Sequence, residues 1–434
     1  MNDSFDNLKE RIANKTVKIA VVGLGYVGLP LAIRFVEEGF SVYGIDLDKD
    51  RIESIKREHS YITDVSDENL GASLKSGRFK VSRDFRIIRD TQVIIICVPT
   101  PLKRKYSPDI SYIKEAVVSI AKNIRRPSLV VLESTTYPGT TEEVILPLFN
   151  KNCKFINSEN LYLCFSPERI DPGNKIYSLK NIPKIIGGIN PQATELGLLL
   201  YRSIIKKVLP ASCARTAEFV KLLENTFRLV NIGLVYELTM MSYKMNIDIW
   251  EAIKLASTKP FGFMPFFPGP GVGGHCIPKD PLYLYWKAKK IGFDSKFIRL
   301  ASKITSYMPY YIVERVVNLL KNKKKKWEVL IIGVTYKKDV KDLRKSPVLD
   351  IIEILQKNDI KVAYYDPLIP YLKINNINLK ASELKKEILN KFDCVIIATD
   401  HSNIDYKFIL DNSSLIFDTR NVYRGIDDRR IVRL

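Results

Sequence analysis

Along the first third of the chain, short apolar runs alternate with stretches whose apolar positions recur at helical spacing. Residues 17–22, 41–45, 93–98 and 128–132 read as strands, and 29–38 as the helix that follows the first of them. Runs that are apolar at nearly every position, separated by helical patterns, imply a parallel, doubly wound sheet covered on both faces. Residues 161–166 and 184–186 are expected to extend that sheet. From 214 to 243 the pattern changes to one long helix carrying Phe219, Leu222, Leu223, Phe227, Val230, Ile232, Leu234, Val235, Leu238 and Met241. That stripe is too long to cover a single sheet. It is expected to link domains and to offer a face to a second subunit, although a helix buried within one chain would show the same stripe.

After the basic run at 321–326, taken as an exposed link, the alternation resumes: strand 328–332, helix 348–356, strands 361–365, 394–398 and 415–417. The third part thus repeats the plan of the first (strand, Gly turn, helix, strand ending in an acid), with different loop lengths. The fold class expected is α/β, with two Rossmann-like doubly wound lobes joined by a long central helix and a small helical middle domain. The divisions fall near 1–210, 211–320 and 321–434.

Gly23-Leu24-Gly25-Tyr26-Val27-Gly28 follows directly on the first strand and opens the next helix. One glycine permits the tight turn, one lets backbone amides reach a pyrophosphate, and one lets helix and strand touch. The helix N-terminus then faces the phosphates. The unit ends at Asp46, at about the 20-residue spacing of a ribose-binding acid. Asp46 would accept from ribose hydroxyls and repel a 2′-phosphate, which favours NAD over NADP; the cations Lys49 and Arg51 stand nearby. The matching turn of the third part, Gly333-Val334-Thr335-Tyr336-Lys337-Lys338, has lysines where those glycines would be. Such a lobe suits a nucleotide diphosphate other than the redox cofactor, and a solvated lysine pair would look the same.

Composition narrows the classes. With 434 residues, 46% hydrophobic and 27% charged, the chain is of globular type with two or three domains. Its apolar runs are of strand length, and its acidic N-terminus has no apolar signal core, so neither membrane nor secretion is expected. Six cysteines without paired spacing and three scattered histidines argue for a reducing cytoplasm and no metal site. The net charge of +20 raises nucleic acid as a ligand. The basic residues are dispersed and no nucleic-acid motif accompanies them, so small anionic ligands explain the charge more simply.

Five cysteines have plain surroundings: Cys97, Cys164 and Cys394 in apolar strands, Cys153 and Cys213 in connections without convergent polar partners. Cys276 differs. It follows Gly271-Val272-Gly273-Gly274-His275 and precedes Lys279 and Asp280 at a helix start. Helix-end charge and a nearby cation lower a thiol's pKa and favour the nucleophilic thiolate. A Gly-rich turn with an incidental cysteine would have the same local pattern.

Together with Val98-Pro99-Thr100-Pro101, Glu133-Ser134-Thr135, Pro138-Gly139-Thr140-Thr141, Ser166-Pro167-Glu168, Lys221 with Asn225, and Tyr336-Lys337-Lys338-Asp339 through Arg344, these motifs resemble the nucleotide-sugar 6-dehydrogenases, the UDP-glucose/GDP-mannose dehydrogenase family. The resemblance runs over almost the whole chain. It implies two successive NAD-dependent oxidations that turn a sugar C6 alcohol into a carboxylate. A thiolate makes the aldehyde tetrahedral so that it can lose hydride, and water cleaves the resulting thioester.

Carried over by position, Cys276 is the nucleophile, Lys221 and Asn225 steady the oxyanion, Asp280 and Thr135 handle protons through a water, and Glu168 assists thioester hydrolysis. Gly23, Gly25, Tyr26, Val27, Gly28, Asp46, Arg51, Thr100, Thr135 and Arg344 match cofactor contacts. Glu168, Arg169, Lys221, Asn225, Phe266, Gly271, Gly273, Tyr336 and Lys337 match substrate contacts. The chain departs from the UDP-glucose enzymes at Arg169-Ile170-Asp171-Pro172-Gly173, so a second acid there does not carry over.

The aromatic, proline-stiffened loop at 258–271, with Ser-Pro-Glu-Arg-Ile, resembles the branch acting on UDP-N-acetylhexosamines. The implied substrate is UDP-N-acetylglucosamine or UDP-N-acetylmannosamine, which sequence does not separate. UDP-glucose, and a non-catalytic nucleotide-binding module, are the alternatives. A homodimer or dimer-based oligomer is implied as well.

Overall fold

The structure is a computed structural model that describes residues 3–62, 64–103, 107–155, 160–170, 177, 180–274, 276–321, 326–374 and 376–434. His275, residues 171–173 and most of the basic run at 321–326 lie outside the described residues. Contacts divide the chain into two compact units: Met1–Glu224 with Leu282–Gly292, and Asn225–Pro281 with Phe293–Leu434.

The first unit is built on β1 (Lys18–Val22), β2 (Ser41–Ile45), β3 (Phe79–Ser82), β4 (Val93–Ile96), β5 (Ser128–Leu132), β6 (Leu161–Phe165), β7 (Lys184–Gly188) and β8 (Val208–Pro210). They form one sheet in the order β3-β2-β1-β4-β5-β6-β7-β8. Every pairing is parallel except β6 with β7. Alternate residues of each strand feed opposite cores, as a period of two requires. Ile19, Val21, Val93 and Ile95 face the helices Gly28–Glu37 and Pro191–Arg202, whereas Ala20, Val22, Ile94 and Ile96 face the helix Ser111–Asn123. Strand order reverses between β1 and β4, and in open α/β sheets ligands bind at the C-terminal strand ends beside that point.

The antiparallel β7 departs from the all-parallel extension expected. The chain returns after β6 without a full crossover, so β7 starts at the edge where the parallel strands end. Side-chain alternation along a strand is the same for either pairing direction, so the apolar pattern of β7 carries no mark of the reversal.

The second unit contains β9 (Glu328–Ile332), β10 (Lys361–Tyr365), the antiparallel hairpin β11 (Tyr371–Ile374) and β12 (Ile377–Lys380), then β13 (Cys394–Ile397), β14 (Ile416–Asp418) and β15 (Ile431–Arg433). Its parallel sheet runs β10-β9-β13-β14-β15. The helices Pro347–Lys357 and Lys296–Leu320 cover one face, where Val329, Ile331 and Ile396 are buried. The stripe at 214–243 is one helix, Ala214–Lys244, and the division between the units falls inside it, after Glu224. Among the described residues no helix is long and apolar enough to cross a membrane.

Candidate active site

In the first unit, β1 ends in Gly23, whose φ of +93° and close approach to the next strand both demand glycine. A Cβ there would lie 2.6 Å from the Cys97 carbonyl oxygen, and one on Gly28 would lie 1.9 Å from the Gly23 carbonyl oxygen. Gly25 is different: a Cβ on it would meet no atom within 4 Å. No described residue crowds that position, which leaves room beside the turn for a ligand. Tyr26 is exposed, and Val27 precedes the helix Gly28–Glu37.

Asp46, at the end of β2, accepts the Leu24 N–H on Oδ2 (2.8 Å) and the Asp48 N–H on Oδ1 (2.9 Å). Arg51 reaches its Oδ2 at 3.3 Å and lies beside the Tyr61 ring, whose hydroxyl donates to the Leu24 carbonyl. Tyr61 therefore braces the turn, a role its isolated position in the sequence gave no sign of. Thr100 is buried, and its carbonyl accepts from the Tyr283 hydroxyl.

The second unit repeats this turn bond for bond. Gly333 has φ +80°, and a Cβ there would lie 2.4 Å from the Thr399 carbonyl oxygen. Asp366, at the end of β10, accepts the Val334 N–H on Oδ2 (2.7 Å) and the Leu368 N–H on Oδ1 (2.8 Å). What faces the acid differs. His401, fully buried, places Nε2 3.2 Å from Asp366 Oδ2, while its Nδ1 accepts the Asp339 N–H at 3.0 Å. The proton therefore sits on Nε2. Asp339 also accepts from the backbone and hydroxyl of Ser402, which fastens the far end of the Tyr336-Lys337-Lys338 loop.

That loop meets the cysteine segment. Cβ atoms on Gly273 and Gly274 would lie 2.4 Å and 2.9 Å from Tyr336 side-chain atoms, and Gly271 lies against Pro347. The Gly274 N–H donates to the Arg344 carbonyl at 3.0 Å, and the Arg344 guanidinium is held by Asp342. Cys276 is exposed; its carbonyl accepts the Asp280 N–H at 2.8 Å and so opens the helix Asp280–Lys290. Asp280 is itself buried and accepts from Asn225 Nδ2 at 2.7 Å. Phe266 stands edge-on to Phe227, one half-turn along the same helix from Asn225.

In the first unit, Glu168, Arg169, Thr135 and Lys221 gather at the C-terminal ends of β5 and β6. Glu168 Oε1 accepts the Arg169 and Ile170 N–H groups, each at 2.7 Å, and Oε2 accepts from Lys184 Nζ at 3.0 Å. Lys184 also binds Glu133 Oε2 at 2.9 Å, and the Tyr201 hydroxyl donates to Glu133. Burial alone would raise the Glu168 carboxyl; the Lys184 ammonium and its hydrogen bond, then the Ile170 N–H and the charge of Lys221, hold it below the usual glutamate range. Burial keeps Glu133 above that range despite the same lysine. Arg169 pairs with Glu224 at 2.7 Å. Thr135 lies half-buried just beyond β5. Neither Lys184 nor Tyr201 was singled out from sequence. A lysine opening an apolar strand was the one available signal.

Cys164 and Cys394 are buried in strands and Cys97 is half-buried one residue past β4. Cys213 does have a polar partner: its sulfur lies 3.3 Å from Thr216 Oγ1, and that hydrogen bond lowers the thiol pKa. It sits at the mouth of a helix, where such contacts cap the first turn.

Three family models of the UDP-glucose/GDP-mannose dehydrogenases match the chain in order: the NAD binding domain at 17–205, the central domain at 215–306 and the UDP binding domain at 330–425. The chain belongs to that family. It is 35% identical to the UDP-N-acetyl-D-mannosamine dehydrogenase of Pyrococcus horikoshii over 94% of this chain and 99% of that protein. It is also 35% identical to the UDP-N-acetyl-D-glucosamine 6-dehydrogenase of Salmonella typhi, over 89% and 90%. The solved structure of the Pyrococcus horikoshii UDP-D-ManNAc dehydrogenase superposes with a TM-score of 0.86 at 33% identity, covering 96% of this chain and 98% of that one.

As a member of the family the chain is an NAD-dependent dehydrogenase. The first unit fits that cofactor, since the open space at Gly25 and the acid at the end of β2 are what a pyrophosphate and a ribose require.

Proposed function

We propose that this dehydrogenase oxidises the C6 hydroxyl of a UDP-N-acetylhexosamine to the carboxylate, with Cys276 as the covalent nucleophile. The observation that carries the mechanism is the exposed Cys276 thiol on a turn whose glycines lie against Tyr336, one residue before Lys337. The relatives' substrates support the sugar. NAD, when bound, accepts one hydride in each of two oxidations.

The chain's own groups do the rest. Lys337 offers an ammonium to the diphosphate of the nucleotide-sugar. The Cys276 thiolate adds to the aldehyde carbon, and Lys221 and Asn225 donate to the oxygen that becomes negative. Asp280, held by Asn225, and Thr135 pass the proton of the alcohol through a water. After the second hydride leaves, a thioester remains. Glu168 takes a proton from the water that adds to it, the C–S bond breaks, and the thiolate returns. Gly23, Gly25, Tyr26, Val27, Gly28, Asp46, Arg51, Thr100 and Arg344 hold the cofactor in this reading, and Arg169, Phe266, Gly271 and Gly273 line the sugar.

The chain divides functionally into cofactor, central and nucleotide-sugar portions. The exposed Phe219, Leu223, Phe227, Leu234 and Met241 of the long helix suit the apolar face of a homodimer. Six cysteines without a disulfide, all within the described residues, suit a reducing cytoplasm.

Purified protein offered UDP-N-acetylglucosamine, UDP-N-acetylmannosamine and UDP-glucose with NAD tests the substrate. The reading predicts two NADH per N-acetylhexosamine consumed, and preference for UDP-glucose overturns it.

A further inference from the structure

The reversal of β7 puts a charge where the family's reaction would use it. A parallel β7 would carry its first residue to the far edge of the sheet from the ends of β5 and β6. Running antiparallel, with Cys164 opposite Gly188 and Phe165 opposite Gly187, it starts on the side where β6 ends, and Lys184 there meets Glu168. The side chain of Lys184 is 4% exposed, and its ammonium contacts Glu133 and Glu168 at 2.9 Å and 3.0 Å. A buried cation persists where opposite charge surrounds it, and here two carboxylates share one ammonium.

We propose that Lys184 is a positioning residue of this dehydrogenase: it fixes the Glu168 carboxylate, in competition with Glu133, so that Glu168 can take the proton of the water that cleaves the thioester. The inference rests on the reading of Glu168 given above. In the step it serves, the water oxygen bonds to the thioester carbonyl carbon, its proton passes to Glu168, the C–S bond breaks and Cys276 leaves as thiolate; no electrons change hands with any oxidant.

The groups facing Glu168 come from four directions. Lys184 stands opposite on β7, Glu133 at the end of β5, Lys221 on the long helix, and the Arg169 and Ile170 N–H groups on its own segment. Tyr201, from the helix Pro191–Arg202, and Cys97, past β4, complete the ring around Glu133. Glu133 contributes no hydrogen bond to Glu168; it acts through the lysine they share. That topology predicts opposite effects from two substitutions. Without Lys184, Glu168 keeps its burial and loses its principal cation. Without the charge of Glu133, the whole ammonium is left to Glu168.

The kcat–pH profiles of Lys184→Met, Lys184→Arg, Glu133→Gln and Glu168→Gln, read beside KM, test this. Lys184→Met should move the acid limb of kcat up by about one pH unit or more, with KM for either ligand little changed. Lys184→Arg should restore the limb, and Glu133→Gln should move it down. At about pH 6, stopped Lys184→Met enzyme should carry a covalent sugar adduct on Cys276 by mass spectrometry that wild type lacks.

Should Lys184→Met not fold, the downward shift in Glu133→Gln and the wild-type limb in Lys184→Arg carry the test alone. Loss of hydrolysis in Glu168→Gln, with unmoved limbs in the other variants, overturns the positioning role and leaves Glu168 in place. Full turnover by Glu168→Gln overturns the reading of Glu168 and the proposal with it.

Discussion

The two Rossmann-like lobes share one hydrogen-bonded turn and differ in what faces its acid. In each, a glycine in the left-handed region ends the first strand of its unit, and the acid ending the next strand accepts the N–H just after that glycine. Around Asp46 the neighbour is Arg51, its side chain partly in solvent. Around Asp366 the neighbour is His401, shut in the interior and bonded on both ring nitrogens. The same backbone device thus sets one acid beside a half-exposed arginine and spends the other on a buried histidine that anchors a lysine-bearing loop. A strand, a Gly turn and a terminal acid do not by themselves make a dinucleotide site; the group aimed at the acid decides.

Alanine at one glycine from each turn sharpens the contrast most. Gly333→Ala should destabilise the protein by about 3 kcal/mol or more, because a positive φ and a backbone clash add together. Gly25→Ala should leave the melting temperature within about 2 °C of wild type, since no described residue crowds that Cβ, yet raise KM for NAD under the proposed reading of the turn. Equal loss of stability in both variants would break the comparison.

A smaller effect separates the lobes by pH, with opposite signs. Glu218, in the first unit, accepts from the Gly139 and Thr141 backbone and the Thr141 hydroxyl, and burial nevertheless pushes its pKa up to about 7. Its folded value exceeds its unfolded one, so the folded state holds the extra proton. Stability from this group is complete below about pH 4.5 and is lost as pH rises to about 7, by up to about 3 kcal/mol.

Asp366 behaves in the reverse way. Burial opposes its charge, but the hydrogen bond from His401 and those from Val334 and Leu368 win, and its pKa is lowered. Its stabilisation is present above the unfolded value and fades as pH falls below about 4. Hydrogen exchange resolved to each lobe should show the first loosening between about pH 4.5 and 7, a slope that Glu218→Gln flattens, and the second a loss in acid from Asp366. The same slope in Glu218→Gln as in wild type would remove the assignment.

Much of this plan was legible from hydrophobic runs. β2, β5, β9 and β10 fall where the apolar pattern placed them, because each runs straight into an acid or a glycine: Asp46, Glu133, Gly333 and Asp366. The Gly turn and Asp46 were legible too, since their spacing follows from the turn itself. Long-range pairing was not. The reversal of β7, and with it the Glu133–Lys184–Glu168 network, depends on register between strands, which one lysine in an apolar run does not encode. The hairpin β11–β12 hides in a segment rich in lysine and asparagine, and the helix Lys296–Leu320 carries Pro309 inside it, a residue that ordinarily ends such a pattern. His401 read as one of three scattered histidines until the fold brought it to Asp366.

Counting NADH in Cys276→Ala with a UDP-N-acetylhexosamine tests the central claim most directly, provided the uronate is assayed in the same reaction. The account predicts no uronate and at most about one NADH per sugar, since the aldehyde then has no thiolate to make it tetrahedral. Two NADH and full conversion to the uronate in that variant would contradict it.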